Sequence, residues 1–221
     1  CASAGKTDDA GLYAMIWWLA DPAHSTVILT STTGKMIRRR IWPVIQRLYH
    51  GFCTDSHKYG TPKYDFPGDL IDSEMTLRAK FNDTRRDSKS AIFAKAVKDG
   101  NTSKAAADIQ GMHNRRVLLI IDEATDTPPA IFEVTTNLIA GTSEFQCLVI
   151  GNPASRLDQH GRFSEPRLGW NKVSIDDEEW ETVIQLDGKP GLCQRFDGEK
   201  CPNVISPRSE TKFLLSVPQL E

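Results

Sequence analysis

Five apolar residues in a row, at positions 117–121 (V-L-L-I-I), end without transition in Asp122 and Glu123. An unbroken apolar run of this length is the pattern of a strand buried on both faces, as in a parallel sheet covered by helices. Two carboxylates closing such a strand are costly unless something pairs them. Two other runs share the pattern: residues 26–30 (T-V-I-L-T), and residues 146–150 (Q-C-L-V-I), the latter ended by Gly151-Asn152-Pro153. Helical stretches lie between them. Asp8 and Asp9 occupy a first helical turn, and Leu12, Ile16 and Leu19 form the apolar face of a helix that Asp21-Pro22 stops. A polar turn over 31–34 leads into a helix from Lys35 to about Tyr49, which Pro43 kinks or divides. Residues 103–109 form a short helix, and Pro128-Pro129 start another that runs to Gly141. Strands alternating with helices imply an α/β fold, with a mainly parallel sheet flanked by helices on both faces.

The remaining stretches carry weaker patterns. Residues 90–97 read as a third strand, although their Ala and Lys content leaves a helix open, and residues 171–175 as one more strand. Residues 51–74, rich in Gly, Pro, Asp and Tyr, read as irregular excursions at one edge. From about Asp176 the pattern fades, and the Gly/Pro-rich stretches 187–191 and 201–207 read as the start of a linker. The expected organisation is therefore one domain over 1–175 and a closing segment with linker over 176–221. At 221 residues, with 39% apolar and 25% charged side chains, the chain has enough material for a real core and is not mostly disordered. Its net charge of −2 carries no global signal for nucleic acid, though a local basic stripe suffices for that work. Five scattered cysteines without a C-x-x-C indicate neither a disulfide framework nor a zinc site. No apolar run is long enough to span a bilayer and no signal peptide is evident, so a reducing cytoplasm is the default expectation.

The amino terminus adds chemistry to this frame. Residues 1–7 read C-A-S-A-G-K-T, which is G-x-x-x-x-G-K-[ST] without its leading glycine. That glycine falls one position ahead of Cys1, so the chain reads as a piece of a longer protein. In a phosphate-binding loop Gly5 lets backbone N–H groups turn onto phosphate oxygens. Lys6 places a point charge on the β- and γ-phosphates, and the Thr7 hydroxyl ligates Mg²⁺. Ser3, Ala4, Gly5, Lys6, Thr7 and Asp8 are thus the candidate ATP-binding residues, set at a helix N-terminus that favours an anion. With Mg²⁺–ATP bound, Asp122 would hold the Mg²⁺ shell and Glu123 would polarise the attacking water. The plainer alternatives are an ordinary Gly-Lys-Thr helix start, and Asp122 and Glu123 as caps of the next helix. Trp17, Trp18, Trp42, Trp170 and Trp180 read as core or interface residues rather than stacking platforms.

The order of these motifs resembles the ATPase domain of large terminase subunits, the motors that package double-stranded DNA into viral procapsids. The resemblance rests on the P-loop, the strand ending in T-S-T-T, I-Q-G-M-H at 109–113, L-L-I-I-D-E-A at 118–124, V-I-G-N-P at 149–153 and H-G-R-F at 160–163. It covers about residues 1–175; superfamily 2 helicases share the skeleton of the individual pieces. It implies a RecA-like P-loop ATPase core using ATP and Mg²⁺. Lys6, Thr7, Asp122 and Glu123 take the roles above, and Asn152 senses the γ-phosphate and couples hydrolysis to a DNA grip. It also implies double-stranded DNA, a portal and a small terminase subunit as partners, and a homo-oligomeric ring at the procapsid portal in the host cytoplasm. The adenine-binding segment is expected ahead of Cys1. Two other readings stay open: a helicase or other RecA-like nucleic-acid ATPase, and a non-hydrolysing nucleotide-gated interaction module.

Two departures from the pattern matter. Some terminases carry an arginine in the P-loop, whereas residues 1–4 here hold no cation. An arginine finger would then come from elsewhere, with Arg38, Arg39, Arg40, Arg115, Arg116 and Arg162 as candidates. Residues 176–221 show no strand-borne carboxylate cluster, so endonuclease activity is expected only of the full-length protein. For DNA, Arg38-Arg39-Arg40 beside Ile41-Trp42 is the densest basic run; on a helix at most two of the three share one face. Arg85-Arg86 and Arg115-Arg116 are weaker candidates.

Overall fold

In a computed structural model the structure describes residues 5–54, 66–80, 89–96, 102–186 and 188–200. The chain forms two compact units, one spanning Thr7–Ile150 and one made of the residues up to Lys6 together with those from Gly151 onward. The first unit is α/β. Helix α1 (Lys6–Ala20, its first residue belonging to the other unit) leads to β1 (Ser25–Ser31), α2 (Gly34–Arg39) and α3 (Ile41–Thr54). Strands β2 (Gly68–Ile71), β3 (Thr76–Ala79) and β4 (Ala91–Ala96) follow, then α4 (Thr102–Gln110), β5 (Arg116–Asp122), α5 (Pro129–Ala140) and β6 (Glu144–Ile150).

These strands form one six-stranded sheet in the order β2-β3-β4-β1-β5-β6. The pairs β4–β1, β1–β5 and β5–β6 are parallel, and β2 and β3 add an antiparallel edge. The apolar runs of β1 and β5 are the reason these two sit at the centre: every residue of β1 is buried, as is all of β5 after Arg116. Alternate side chains serve opposite faces. Val27, Leu29, Leu118 and Ile120 join the cluster that holds Trp18, Trp42, Ile41 and Ile45, while Ile28, Leu119 and Ile121 are buried outside that cluster.

Several expectations are corrected. The buried face of α1 is not Leu12 and Ile16, which are 43% and 56% exposed, but Ala10, Gly11, Ala14, Met15, Trp17 and Trp18. The two indoles offer more apolar area than the aliphatic stripe, and Gly11 lets α3 come so close that a Cβ there would lie 2.6 Å from Val44 Cγ1. The helix expected from Lys35 is indeed divided, but after α2 at Arg40 rather than at Pro43. Pro43 falls in the first turn of α3, where a missing N–H costs nothing. The segment expected to be irregular over 51–74 contains the end of α3, the strand β2 and a 3₁₀ turn over Asp72–Glu74; residues 55–65 lie outside the described residues.

In the second unit a short helix, α6 (Gln159–Phe163), precedes an antiparallel hairpin of β7 (Glu179–Leu186) and β8 (Lys189–Gln194). No strand forms over 171–175, where the chain makes a 3₁₀ turn at Trp170–Lys172, and the hairpin occupies the stretch read as a fading pattern. Apart from a bridge of Thr182 to Pro166, its two strands pair with each other, so they leave exposed faces and lack the apolar signature of a buried strand. Among the described residues no helix is long and apolar enough to cross a membrane.

Candidate functional site

Because β1 and β5 run parallel with Thr30 opposite Ile121, Ser31 and Asp122 close the same carboxyl edge of the sheet. Ligands of open α/β sheets bind at that edge. Asp122 is 4% exposed there. On the same face of the sheet the hydroxyl of Ser31 is buried and has no hydrogen-bond partner among the described residues, and that of Thr30 is likewise orphaned on the opposite face. Buried polar atoms are almost always satisfied, so the Ser31 orphan next to Asp122 marks a place shaped for a polar group.

Glu123 follows β5 in the left-handed region (φ 56°, ψ 50°), which a residue with a Cβ rarely adopts. Strain of this kind persists only where the surroundings enforce it, and it concentrates at functional positions. Here the Glu123 carbonyl accepts from Asp126 N (3.1 Å) and Thr127 Oγ1 (3.2 Å), tying down the turn. Its carboxylate pairs with Arg40, the residue at which α2 ends. The sequence missed this pairing, because Arg40 and Glu123 stand more than eighty positions apart and nothing in the local pattern of either marks the other. In the sequence Thr30 and Ser31 read only as the end of a strand. The recognisable signal was hydroxyl residues closing a buried strand, as the acids close its neighbour.

The basic run is thereby split by function. Arg40 faces Glu123, Arg38 reaches the Ser73 carbonyl at 3.4 Å, and only the exposed Arg39 has no contact of its own among those described. Asp8, in the first turn of α1, pairs with Arg47 at 2.5 Å, and both side chains are more than half exposed. Thr7 is half-buried at the start of the same helix. Arg116 is engaged within the sheet unit: it bonds Glu144, Ser25 Oγ and the Trp17 carbonyl and lies over the Trp17 ring.

In the other unit, Gly5 adopts φ 76° immediately before α1, the conformation that makes glycine the residue of choice at this point of the loop. Lys6 Nζ donates to Asn152 Oδ1 at 2.9 Å, joining the two sequence-selected residues across 146 positions. Ser3 and Ala4 lie outside the described residues, as do Arg85 and Arg86. The H-G-R-F stretch forms α6, capped by Asp158, which accepts from Gly161 N (2.6 Å) and Ser155 N (2.9 Å). Any side chain at Gly161 would strike the Ser155 carbonyl, 2.2 Å from an added Cβ. Burial acts to raise the Asp158 carboxyl, but the N–H groups of Gly161 and Ser155 outweigh it and hold it below the ordinary value. His160 is pushed down, first by burial and then by the charge of Lys6, against the opposing pull of Asp158. Comparison with models of known protein families, and with curated proteins, finds no match for this chain.

Proposed function

We propose that the chain is the ATP-hydrolysing domain of a DNA-translocating motor of the large-terminase type, with a RecA-like P-loop core. The observation that carries the reading is the carboxyl edge of β1 and β5. Buried Asp122, the strained Glu123 and the orphaned Ser31 hydroxyl gather there, in a chain whose P-loop motif opens helix α1. The residues fit a magnesium–triphosphate group, since a buried carboxylate and an unsatisfied hydroxyl oxygen are oxygen ligands of the kind a hard cation and its waters take. Asp122 and Thr7 would hold Mg²⁺, which supplies neutralisation of the phosphate charge.

The chain's own groups carry the rest. Lys6 would place its ammonium on the phosphates, and Asn152, whose Oδ1 accepts from that ammonium in the present structure, would turn its Nδ2 donor toward phosphate oxygens. Glu123 orients a water and accepts its proton, once its carboxylate is released from Arg40. Asn152 heads the segment from Gly151 onward, so the Lys6–Asn152 bond, internal to the second unit, is the proposed element through which phosphate occupancy would act on that segment. Double-stranded DNA is the proposed substrate of movement, and a portal, a small terminase subunit and a ring of like chains are the proposed partners.

The test is phosphate release and nucleotide binding by the full-length protein. Glu123→Gln lowers turnover by about 10²–10⁴-fold while nucleotide still binds, as expected on loss of a general base. Lys6→Ala abolishes both. Turnover undiminished in either variant overturns the assignment. A protein that hydrolyses ATP but unwinds duplexes rather than translocating along them belongs to the helicase reading.

A further inference from the structure

Resting on the P-loop reading above, and against the expectation of an adenine-binding segment ahead of Cys1, we propose that a cavity in the second unit receives the base and ribose of the nucleotide whose phosphates Lys6 holds. The cavity measures about 310 Å³, within the range of small-ligand pockets, and is bounded by Trp170, Trp180, Arg156, Arg195, His160 and Gln194. Its rim begins at Pro153, the residue after the Asn152 that accepts from Lys6 Nζ. His160, in its wall, feels the charge of Lys6. The cavity and the phosphate-binding ammonium therefore adjoin within one unit.

The wall has the chemistry of a nucleoside site. The two indoles meet edge to face with ring centres 6.1 Å apart, and the Arg156 guanidinium lies over Trp170 at 5.0 Å and that of Arg195 over Trp180 at 5.9 Å. Guanidinium planes, like aromatic rings, are surfaces on which nucleobases stack. Trp180 is fixed by its Nε1 donating to the Ser164 carbonyl at 2.7 Å, and Arg195 by the carbonyls of Ser174 and Ile175. The Gln194 amide offers both a donor and an acceptor to a base edge.

Charge separates this site from an ordinary surface hollow. Residues 151–200 carry ten Asp and Glu against seven Lys and Arg, yet no carboxylate lines the cavity. Among the described residues, neither Arg156 nor Arg195 is paired with an acid. The acidic balance of the surrounding unit disfavours a long polyanion such as duplex DNA here, and a hollow of about 310 Å³ suits the size of one nucleoside. The half-buried Trp170 and Trp180, expected from sequence to be plain core or interface residues, are thus assigned a ligand.

The experiment compares ADP with inorganic tripolyphosphate, each titrated calorimetrically with Mg²⁺ into the full-length protein. Tripolyphosphate carries the phosphate contacts without base or ribose. Arg156→Ala, at an exposed side chain, and Trp170→Leu are each expected to weaken ADP about tenfold and leave tripolyphosphate unchanged. Lys6→Ala is expected to weaken both ligands. If Lys6→Ala weakens both ligands while Arg156→Ala leaves the ADP affinity intact, the cavity assignment is wrong and the P-loop reading stands. If Lys6→Ala weakens neither, the P-loop reading itself falls. Equal loss of ADP and tripolyphosphate in Arg156→Ala overturns the proposal in favour of a simple anion site. Should Trp170→Leu fail to fold, Arg156→Ala decides alone.

Discussion

Removing Arg116 tests whether this arginine is structural rather than a catalytic finger. Its side chain is 16% exposed and ties α1, β1, β5 and β6 together. Nη1 donates to the Trp17 carbonyl at 3.1 Å and Ser25 Oγ at 3.0 Å, Nε to Glu144 at 2.7 Å, and the guanidinium sits 4.4 Å from the Trp17 ring centre. Hydrogen bonds from a charged donor contribute about 1.5–3 kcal/mol each. The ring contact adds about 0.5–1 kcal/mol. The Glu144 pair adds at most about 1 kcal/mol, since that carboxylate is half in water. Against these stands up to ~2 kcal/mol of side-chain entropy released by truncation. The two buried bonds dominate, and Arg116→Ala should destabilise by about 3 kcal/mol. For a chain of this size that is roughly 9 °C in Tm. Urea unfolding followed by far-UV circular dichroism measures it, with Glu144→Ala and Arg39→Ala alongside; these should lose under about 1 and about 0.5 kcal/mol. Below the transition, ATP turnover should be unchanged. A loss no larger than that of Glu144→Ala would mean the buried bonds contribute nothing, and a collapse of turnover at full stability would return Arg116 to the finger candidates.

Gly11→Ala should destabilise by about 1–2 kcal/mol in urea unfolding, because its Cβ meets Val44 at 2.6 Å and the gain of about 1 kcal/mol in helix propensity does not offset the overlap; a stabilised variant refutes the close approach of α1 to α3. Desolvation pushes the Cys147 thiol up to about 12 although its surface is only partly covered, so iodoacetamide at pH 8 should label it more slowly, by up to about a thousandfold, in the folded than in the urea-unfolded protein; comparable rates would show that the thiol is not desolvated. His160 titrates below its ordinary value when folded, so as pH falls through about 6.5 the unfolded chain takes up the proton first and stability declines. Denaturant midpoints measured from pH 8 to pH 5 should show that decline in the wild type and a flatter profile in His160→Gln, and identical profiles would refute it.

Legibility followed burial. The runs that became β1 and β5, and the helix started by Pro128-Pro129, were evident because a strand covered on both faces must be apolar throughout and a proline fits only the first turn; β6, at the sheet edge and at most half-buried, was evident from its apolar run alone. The hairpin of β7 and β8 was missed because its faces stay wet. The short strands β2 and β3 were missed because four residues carry too little alternation to stand out. Leu12 and Ile16 misled because periodicity shows that a helix has a preferred face, while the partner decides which one; Gly11 and the two indoles made that decision against α3.

Taken by itself, the order of residues determined the elements of the sheet core, the acids at the end of β5 and the phosphate-loop motif before α1, since each depends on neighbours a few positions away. Only the tertiary structure decided that Arg40 meets Glu123, that Lys6 meets Asn152, and that two tryptophans and two arginines enclose a cavity. Those pairings join residues up to 146 positions apart, and the strand order and turns that bring them together are set by the packing of the whole sheet rather than by any local preference.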